Sequence, residues 1–211
     1  MDDYILELPN FVSPKLCNDI VNIYKNIHEK KEIVLPAYMV NGERRETARF
    51  GKLLFMPERK EYNHLLKTMC EIYDEIYLKY TDKLSINFKD LNKNVIKGQH
   101  PYTVELESQK EVHIYNACTL HEIEKGGFYS WHHDYEWNEP GAFIQAIIYL
   151  NTLDEGEGGC TEFLNGRKVK PEIGKVLIYP RSWTYLHKGG EIMGNNAKYI
   201  CTANMRIKLL E

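Results

Sequence analysis

The chain has 211 residues, with 27 basic and 30 acidic side chains and a formal net charge of −3. That balance leaves no electrostatic footprint for nucleic acid, and the longest apolar run, Ala146-Ile147-Ile148-Tyr149-Leu150, is far too short to span a bilayer. The length suits one domain, residues 1–211, with one sizeable core, and five dispersed cysteines without a C-x-x-C pair read as reduced thiols of a cytoplasmic protein.

The opening Met1-Asp2-Asp3-Tyr4 lacks the charge pattern of a signal peptide. Tyr4-Ile5-Leu6-Glu7-Leu8 reads as a short strand. Ser13 is a good N-cap and Pro14 suits a first helical position. Leu16, Ile20, Ile23, Tyr24 and Ile27 then follow helical spacing, which predicts a helix over about 14–30. Residues 33–56 read as extended, with Asn41-Gly42 as a two-residue hairpin turn. The arginines Arg44, Arg45 and Arg49 that follow read as a solvated face. From Leu65 to Tyr77 apolar residues recur at threes and fours, predicting a second helix over about 59–80. Each helix has one apolar stripe, so both are expected to pack on an outer face of a β-sheet. Residues 82–100 read as irregular.

From about residue 101 the period changes to two. Val104 to Leu106, Val112 to Ile114, Cys118 to Ile123, Phe143 to Leu150, Thr161 to Leu164, Lys175 to Tyr179 and Tyr199 to Ile207 all read as strands. Many short strands with turn signals between them argue a double-sheet jelly roll. The fold class is therefore α+β, mainly β. It comprises a helical N-terminal part over about 1–100 and a jelly-roll core over about 101–211.

One stretch of this core carries ligand chemistry. In Trp131-His132-His133-Asp134 an imidazole and a carboxylate stand two residues apart, and on a strand such residues share a face. His133 would point the other way. His187, farther down the chain, is the natural third ligand. Two histidines and one carboxylate leave three coordination positions open on iron(II), whereas the thiolate cages of structural zinc leave none. A chance H-x-D in a chain with eight histidines is the competing explanation.

The neighbouring residues extend the pattern. In order come Gly126-Gly127, His132 and Asp134, Tyr149-Leu150-Asn151, Gly158-Gly159-Cys160-Thr161-Glu162-Phe163, Pro171-Glu172-Ile173-Gly174, His187, and Lys198-Tyr199. From residue 120 to about 207 the chain resembles the iron(II)/2-oxoglutarate dioxygenases, specifically the prolyl 4-hydroxylase-like branch. The resemblance implies a jelly roll in which His132, Asp134 and His187 hold the metal. It implies that Lys198 binds the distal carboxylate of 2-oxoglutarate, helped by the Tyr149 hydroxyl. A buried carboxylate needs such a partner. Fe(II), 2-oxoglutarate and dioxygen are the implied cofactor and co-substrates, with ascorbate as a possible addition. Oxidative decarboxylation of 2-oxoglutarate would be coupled to hydroxylation of a side chain, first of all a prolyl residue in a peptide or protein. A free amino acid or small metabolite is the alternative substrate, and a non-catalytic jelly-roll binding module is the alternative class. Arg45-Glu46-Thr47 is similar to a segment ahead of the family's substrate-covering loop, which makes residues 44–50 a candidate flap. The chain departs from many relatives at Ile123, where they carry tyrosine, and at Asn204, where they carry tryptophan. Tyr129 or Tyr115 could replace the missing tyrosine, and Thr161 and Arg206 could add hydrogen bonds around the site.

Overall fold

The computed structural model of the protein describes residues 4–26, 33–34, 39–40, 43–44, 52–54, 63–83, 119–135 and 142–206. In chain order these form β1 (Leu6–Leu8), α1 (Pro14–Asn26), β2 (Ile33–Val34), β3 (Met39–Val40), β4 (Glu43–Arg44), β5 (Lys52–Leu54) and α2 (Asn63–Lys83). The second half supplies β6 (Thr119–Ile123), β7 (Tyr129–His132), β8 (Ala142–Tyr149), β9 (Thr161–Phe163) and β10 (Lys168–Val169). It ends with β11 (Val176–Pro180), β12 (His187–Gly189) and β13 (Lys198–Arg206). A seven-stranded sheet has the order β1-β11-β8-β13-β6-β5-β2 and a four-stranded sheet the order β10-β9-β12-β7. All their pairings are antiparallel, and the two sheets form the jelly roll.

The first helix begins as its sequence dictates. Ser13 Oγ accepts from the Leu16 amide at 3.3 Å, and Pro14 takes the first turn, where its missing N–H costs nothing. Its buried residues are Cys17, Ile20, Val21 and Tyr24, one face of a 3.6-residue repeat. The second helix buries Leu66, Met69, Tyr73, Ile76, Tyr77 and Tyr80 in the same way. It ends at Lys83, three residues past the predicted end. The Tyr80 hydroxyl donates to the Tyr4 carbonyl at 2.8 Å, a tertiary contact that holds this last turn. Both stripes pack on Ala146, Ile148, Leu150, Val176, Ile178, Cys201 and Ala203 of the larger sheet. Each fully buried large aliphatic side chain there contributes about 1.5–3 kcal/mol.

A second cluster fills the space between the sheets: Ile5, Ile123, Ile147, Tyr149, Leu153, Phe163, Val169, Leu177, Tyr179, Ile192 and Ile200. Side chains of β8, β11 and β13 thus alternate between the helices and the barrel interior. Both faces are covered, so these strands read as apolar runs rather than as apolar–polar alternation.

The N-terminal half is not purely helical. Strand β1 pairs with β11, and β5 joins β2 to β6, so both edges of the larger sheet come from it. Strands β3 and β4 pair antiparallel, Val40 with Glu43, on either side of Asn41-Gly42, which itself lies outside the described residues. The predicted irregular stretch 84–100, the strands predicted within 101–118, Tyr115 and the candidate flap at 45–50 lie outside the described residues. Strand β12 escaped the sequence reading because its three residues include a histidine, a lysine and a glycine.

Candidate metal centre and co-substrate pocket

Two strands of the smaller sheet bring the candidate ligands together. His132 ends β7, His187 opens β12, and the two are direct cross-strand partners. Residues facing each other across antiparallel strands lie close enough for their side chains to meet. Their ring centroids are 4.3 Å apart. The alternation argument for Asp134 needs correction, because β7 stops at His132 and Asp134 follows in irregular backbone. The carboxylate reaches the site nonetheless. Asp134 Oδ1 is 3.6 Å from His132 Nε2, and Oδ2 is 3.5 Å from His187 Nε2. One ligating atom from each residue lies within 4.8 Å of the other two. His133 is exposed, as its position between the two ligands predicts.

The donor chemistry of this cluster fits a cation. His132 Nδ1 is 2.7 Å from the Ser130 carbonyl, and His187 Nδ1 is 3.0 Å from the Tyr185 carbonyl. A carbonyl oxygen only accepts, so each Nδ1 carries the hydrogen and each Nε2 presents a lone pair. Two imidazole lone pairs and a carboxylate oxygen therefore converge. The backbone carbonyls fix both tautomers, as the outer hydrogen bonds of metal-ligating histidines do. Burial alone would raise the Asp134 carboxyl. His187, His132, the Tyr179 hydroxyl and the Arg181 guanidinium together outweigh it and hold the carboxyl below its ordinary range.

Sequence reading missed Tyr179. Its hydroxyl donates to Asp134 Oδ2 at 2.8 Å and lies 3.0 Å from His187 Nε2. Burial and the adjacent Asp134 push this phenol well above its usual value, so it stays a hydroxyl. Gln145 was also missed. It is 6% exposed, stands opposite Tyr179 in the β8–β11 pairing, and its Oε1 has no hydrogen-bond partner among the described residues. A buried amide oxygen of this kind needs an explanation. Nothing local in Leu177-Ile178-Tyr179 distinguishes Tyr179 from core; Gln145 stands out as an amide inside the apolar run 143–150, but only the register shows that it sits opposite Tyr179.

The second part of the site lies on the same inner face. Lys198 opens β13 and is 4% exposed. Its Nζ donates to the Gly159 carbonyl at 2.7 Å and lies 5.5 Å from the centre of the Tyr149 ring. Gly159 has φ +71, and a Cβ there would crowd Leu153 and Ile192, so glycine is what lets this carbonyl approach. Burial pushes the Lys198 ammonium down to about 8, against a smaller upward pull from Cys160. Among the described residues no carboxylate pairs with this ammonium, and a buried carboxylate would supply a partner. Tyr149 is fully buried next to it, and its hydroxyl shares a 2.7 Å hydrogen bond with Thr161 Oγ1.

Ile123 stands across from Lys198 in the β6–β13 pairing, so the position where relatives carry tyrosine does face this pocket's wall. Tyr129 supplies a hydroxyl nearby. It bonds His121 Nδ1 at 2.9 Å, and His121 Nε2 lies 2.9 Å from Thr202 Oγ1. For Asn204 and Arg206 the backbone is described, within β13.

Residues 118–206 match the family described as the 2OG-Fe(II) oxygenase superfamily. Solved prolyl hydroxylases share the fold. The viral collagen prolyl hydroxylase of Paramecium bursaria Chlorella virus-1 is 19% identical, with a TM-score of 0.56 and 96% of each chain covered. A Pseudomonas putida prolyl-4-hydroxylase is 14% identical, with a TM-score of 0.60 over 96% of this chain and 92% of that one. A Trichoplax adhaerens prolyl hydroxylase, solved with a peptide fragment of the hypoxia inducible factor oxygen degradation domain, is 13% identical. Its TM-score is 0.64 over 97% of this chain and 84% of that one. No curated protein matches the chain.

Proposed function

We propose that this chain is an iron(II)/2-oxoglutarate-dependent dioxygenase whose substrate is a prolyl residue in a peptide or protein, a reading supported by the family match over residues 118–206 and by the fold shared with prolyl hydroxylases. In this reading His132, Asp134 and His187 hold iron(II), and Lys198, with Tyr149 and Thr161 beside it, receives the distal carboxylate of 2-oxoglutarate. The observation that carries the reading is that three side chains able to hold a metal ion converge in the same jelly roll that buries Lys198.

Each residue has a definable task. His132 and His187 present Nε2 because their Nδ1 atoms are bound to backbone carbonyls. Asp134 brings a negative charge that balances one of the two metal charges and leaves the site cationic toward the 2-oxo acid. The Lys198 ammonium neutralises the far carboxylate and sets the co-substrate's direction in the pocket. Ile123, Leu153, Ile192 and Ile200 surround that pair with apolar surface and keep bulk water out. Gln145 Oε1 is the acceptor left for an N–H or O–H group of the substrate. Iron(II), held by these three side chains, would supply a site at which dioxygen is activated; dioxygen is the oxidant, one of its oxygen atoms going to the substrate carbon and the other to 2-oxoglutarate, which would leave as succinate and carbon dioxide.

The substrate class rests on the neighbours, which are prolyl hydroxylases, one with a peptide bound. Large apolar side chains are exposed close in sequence to the site: Trp131 at 46% precedes His132, and Leu164 at 67% follows Phe163, which pairs with His187. Such exposed side chains suit a peptide better than a small polar metabolite. Succinate release with iron(II) and 2-oxoglutarate, screened over proline-containing peptides and free amino acids, tests the proposal. Turnover with peptides, with one oxygen added to proline by mass, is expected. Turnover with free amino acids alone would replace the peptide reading.

A further inference from the structure

Asp134 differs from its two partners in how it is held. His132 and His187 sit on paired strands, so ladder hydrogen bonds fix their backbones. Asp134 follows the end of β7, where no ladder bond orients it. Its anchor comes from the opposite sheet. Tyr179 lies in β11, between β1 and β8, and is 1% exposed. Its ring meets Phe163 edge-on at 5.2 Å and His187 edge-on at 4.8 Å. These contacts leave the phenol little freedom to swing. The hydroxyl thus stands as a rigid donor 2.8 Å from Asp134 Oδ2.

We propose that Tyr179 is a positioning residue of the metal centre, its hydroxyl fixing the Asp134 carboxylate so that Oδ1 faces His132. This rests on the reading of His132, Asp134 and His187 as metal ligands. A hydroxyl brings one hydrogen and here has two acceptors, Asp134 Oδ2 and His187 Nε2. A cation that takes the His187 lone pair leaves Asp134 as the only one of these two acceptors. Metal binding and the Tyr179–Asp134 hydrogen bond therefore reinforce each other. The hydroxyl also occupies one carboxylate oxygen, which favours attachment through the other. Conserving open positions on the metal for co-substrate and dioxygen follows from that.

The test is Tyr179→Phe, which keeps the ring packing and removes only the hydroxyl. Cobalt(II) titrated into the apo protein reads affinity without turnover, and its visible spectrum reports ligand geometry. Y179F should bind cobalt(II) about 10–100-fold more weakly than wild type, the usual loss for an outer hydrogen bond of a metal ligand. The band shape should change as well. Ile178→Val serves as the packing control; Ile178 packs against the helices, so its cobalt(II) affinity and spectrum should stay at wild-type values. Equal affinity and spectrum in wild type and Y179F would overturn the role of Tyr179 while leaving the ligand assignment standing. Wild-type protein that binds no cobalt(II) would sink both together. A phenolate charge-transfer band in the iron(III)-loaded wild type, lost in Y179F, would make Tyr179 a ligand and overturn the positioning role.

Discussion

Strands β8, β11 and β13 present two faces that are equally buried and chemically opposite. Toward the helices they show Ala146, Ile148, Leu150, Val176, Ile178, Cys201 and Ala203. Toward the smaller sheet the same strands show Gln145, Tyr149, Tyr179 and Lys198 among Ile147, Leu177 and Ile200. Both layers exclude water, so burial by itself does not separate packing from chemistry. The difference is what lies opposite. The two amphipathic helices offer mainly aliphatic and aromatic surface, with tyrosine hydroxyls as its few polar groups. The smaller sheet offers His187 and Thr161, and Tyr179 and Tyr149 find hydrogen-bond partners there. The comparison predicts a division of labour: substitutions on the helix side should cost stability alone, and polar substitutions on the inner side should cost ligand binding.

The largest effect should come from the triad. His187→Ala or Asp134→Ala should abolish iron-dependent succinate formation, while thermal denaturation of the apo protein stays close to wild type. Activity retained in His187→Ala would break the division at its strongest point. His133→Ala, at an exposed position, should keep both metal and activity.

Lys198→Ala comes next. Truncating one partner of a buried charge pair costs about 2–5 kcal/mol, so 2-oxoglutarate affinity should fall roughly thirty-fold to several-thousand-fold. Cobalt(II) affinity should not move. Isothermal titration of each ligand separately checks this, and unchanged 2-oxoglutarate binding would require another carboxylate partner.

Met69→Ala probes the other layer. Met69 is fully buried between α2 and the larger sheet, and such truncations cost about 2–5 kcal/mol of stability. Urea unfolding should show that loss, with metal and 2-oxoglutarate affinities at wild-type values where the protein is folded. A parallel drop in 2-oxoglutarate affinity would mean the layers are coupled.

The smallest effect is a pH dependence that sharpens the role of Lys198. Burial lowers its ammonium from 10.5 to about 8. A carboxylate partner favours the protonated form, so 2-oxoglutarate affinity should be flat below about pH 8 and decline above it, by at most about tenfold per unit. The apo protein behaves in the opposite sense. Between about pH 8 and 10.5 the unfolded chain binds more protons at this site, so stability rises with pH there. Lys198→Met should flatten both profiles. A decline in 2-oxoglutarate affinity that persists in Lys198→Met would assign the titration elsewhere.

Much of this was legible in the chain, because it depends on neighbours in sequence. Helical spacing of Leu16, Ile20, Ile23 and Tyr24 and the Ser13-Pro14 start are local rules of backbone and side-chain geometry. The H-x-D pair, the distal histidine and Lys198 were readable as residue types in order. The end of α2 was not, since the Tyr80 contact with Tyr4 crosses most of the N-terminal half.

What the sequence by itself determined is therefore the period of each element and the candidate ligands. What only the tertiary structure decided is which face each strand turns to the site. Antiparallel register sets that, and register is fixed by pairing between residues far apart in the chain. It places His132 opposite His187 and Gln145 opposite Tyr179. It also carries the hydroxyl of Tyr179, an ordinary core residue by its neighbours, to 2.8 Å from an Asp134 oxygen that no strand ladder holds.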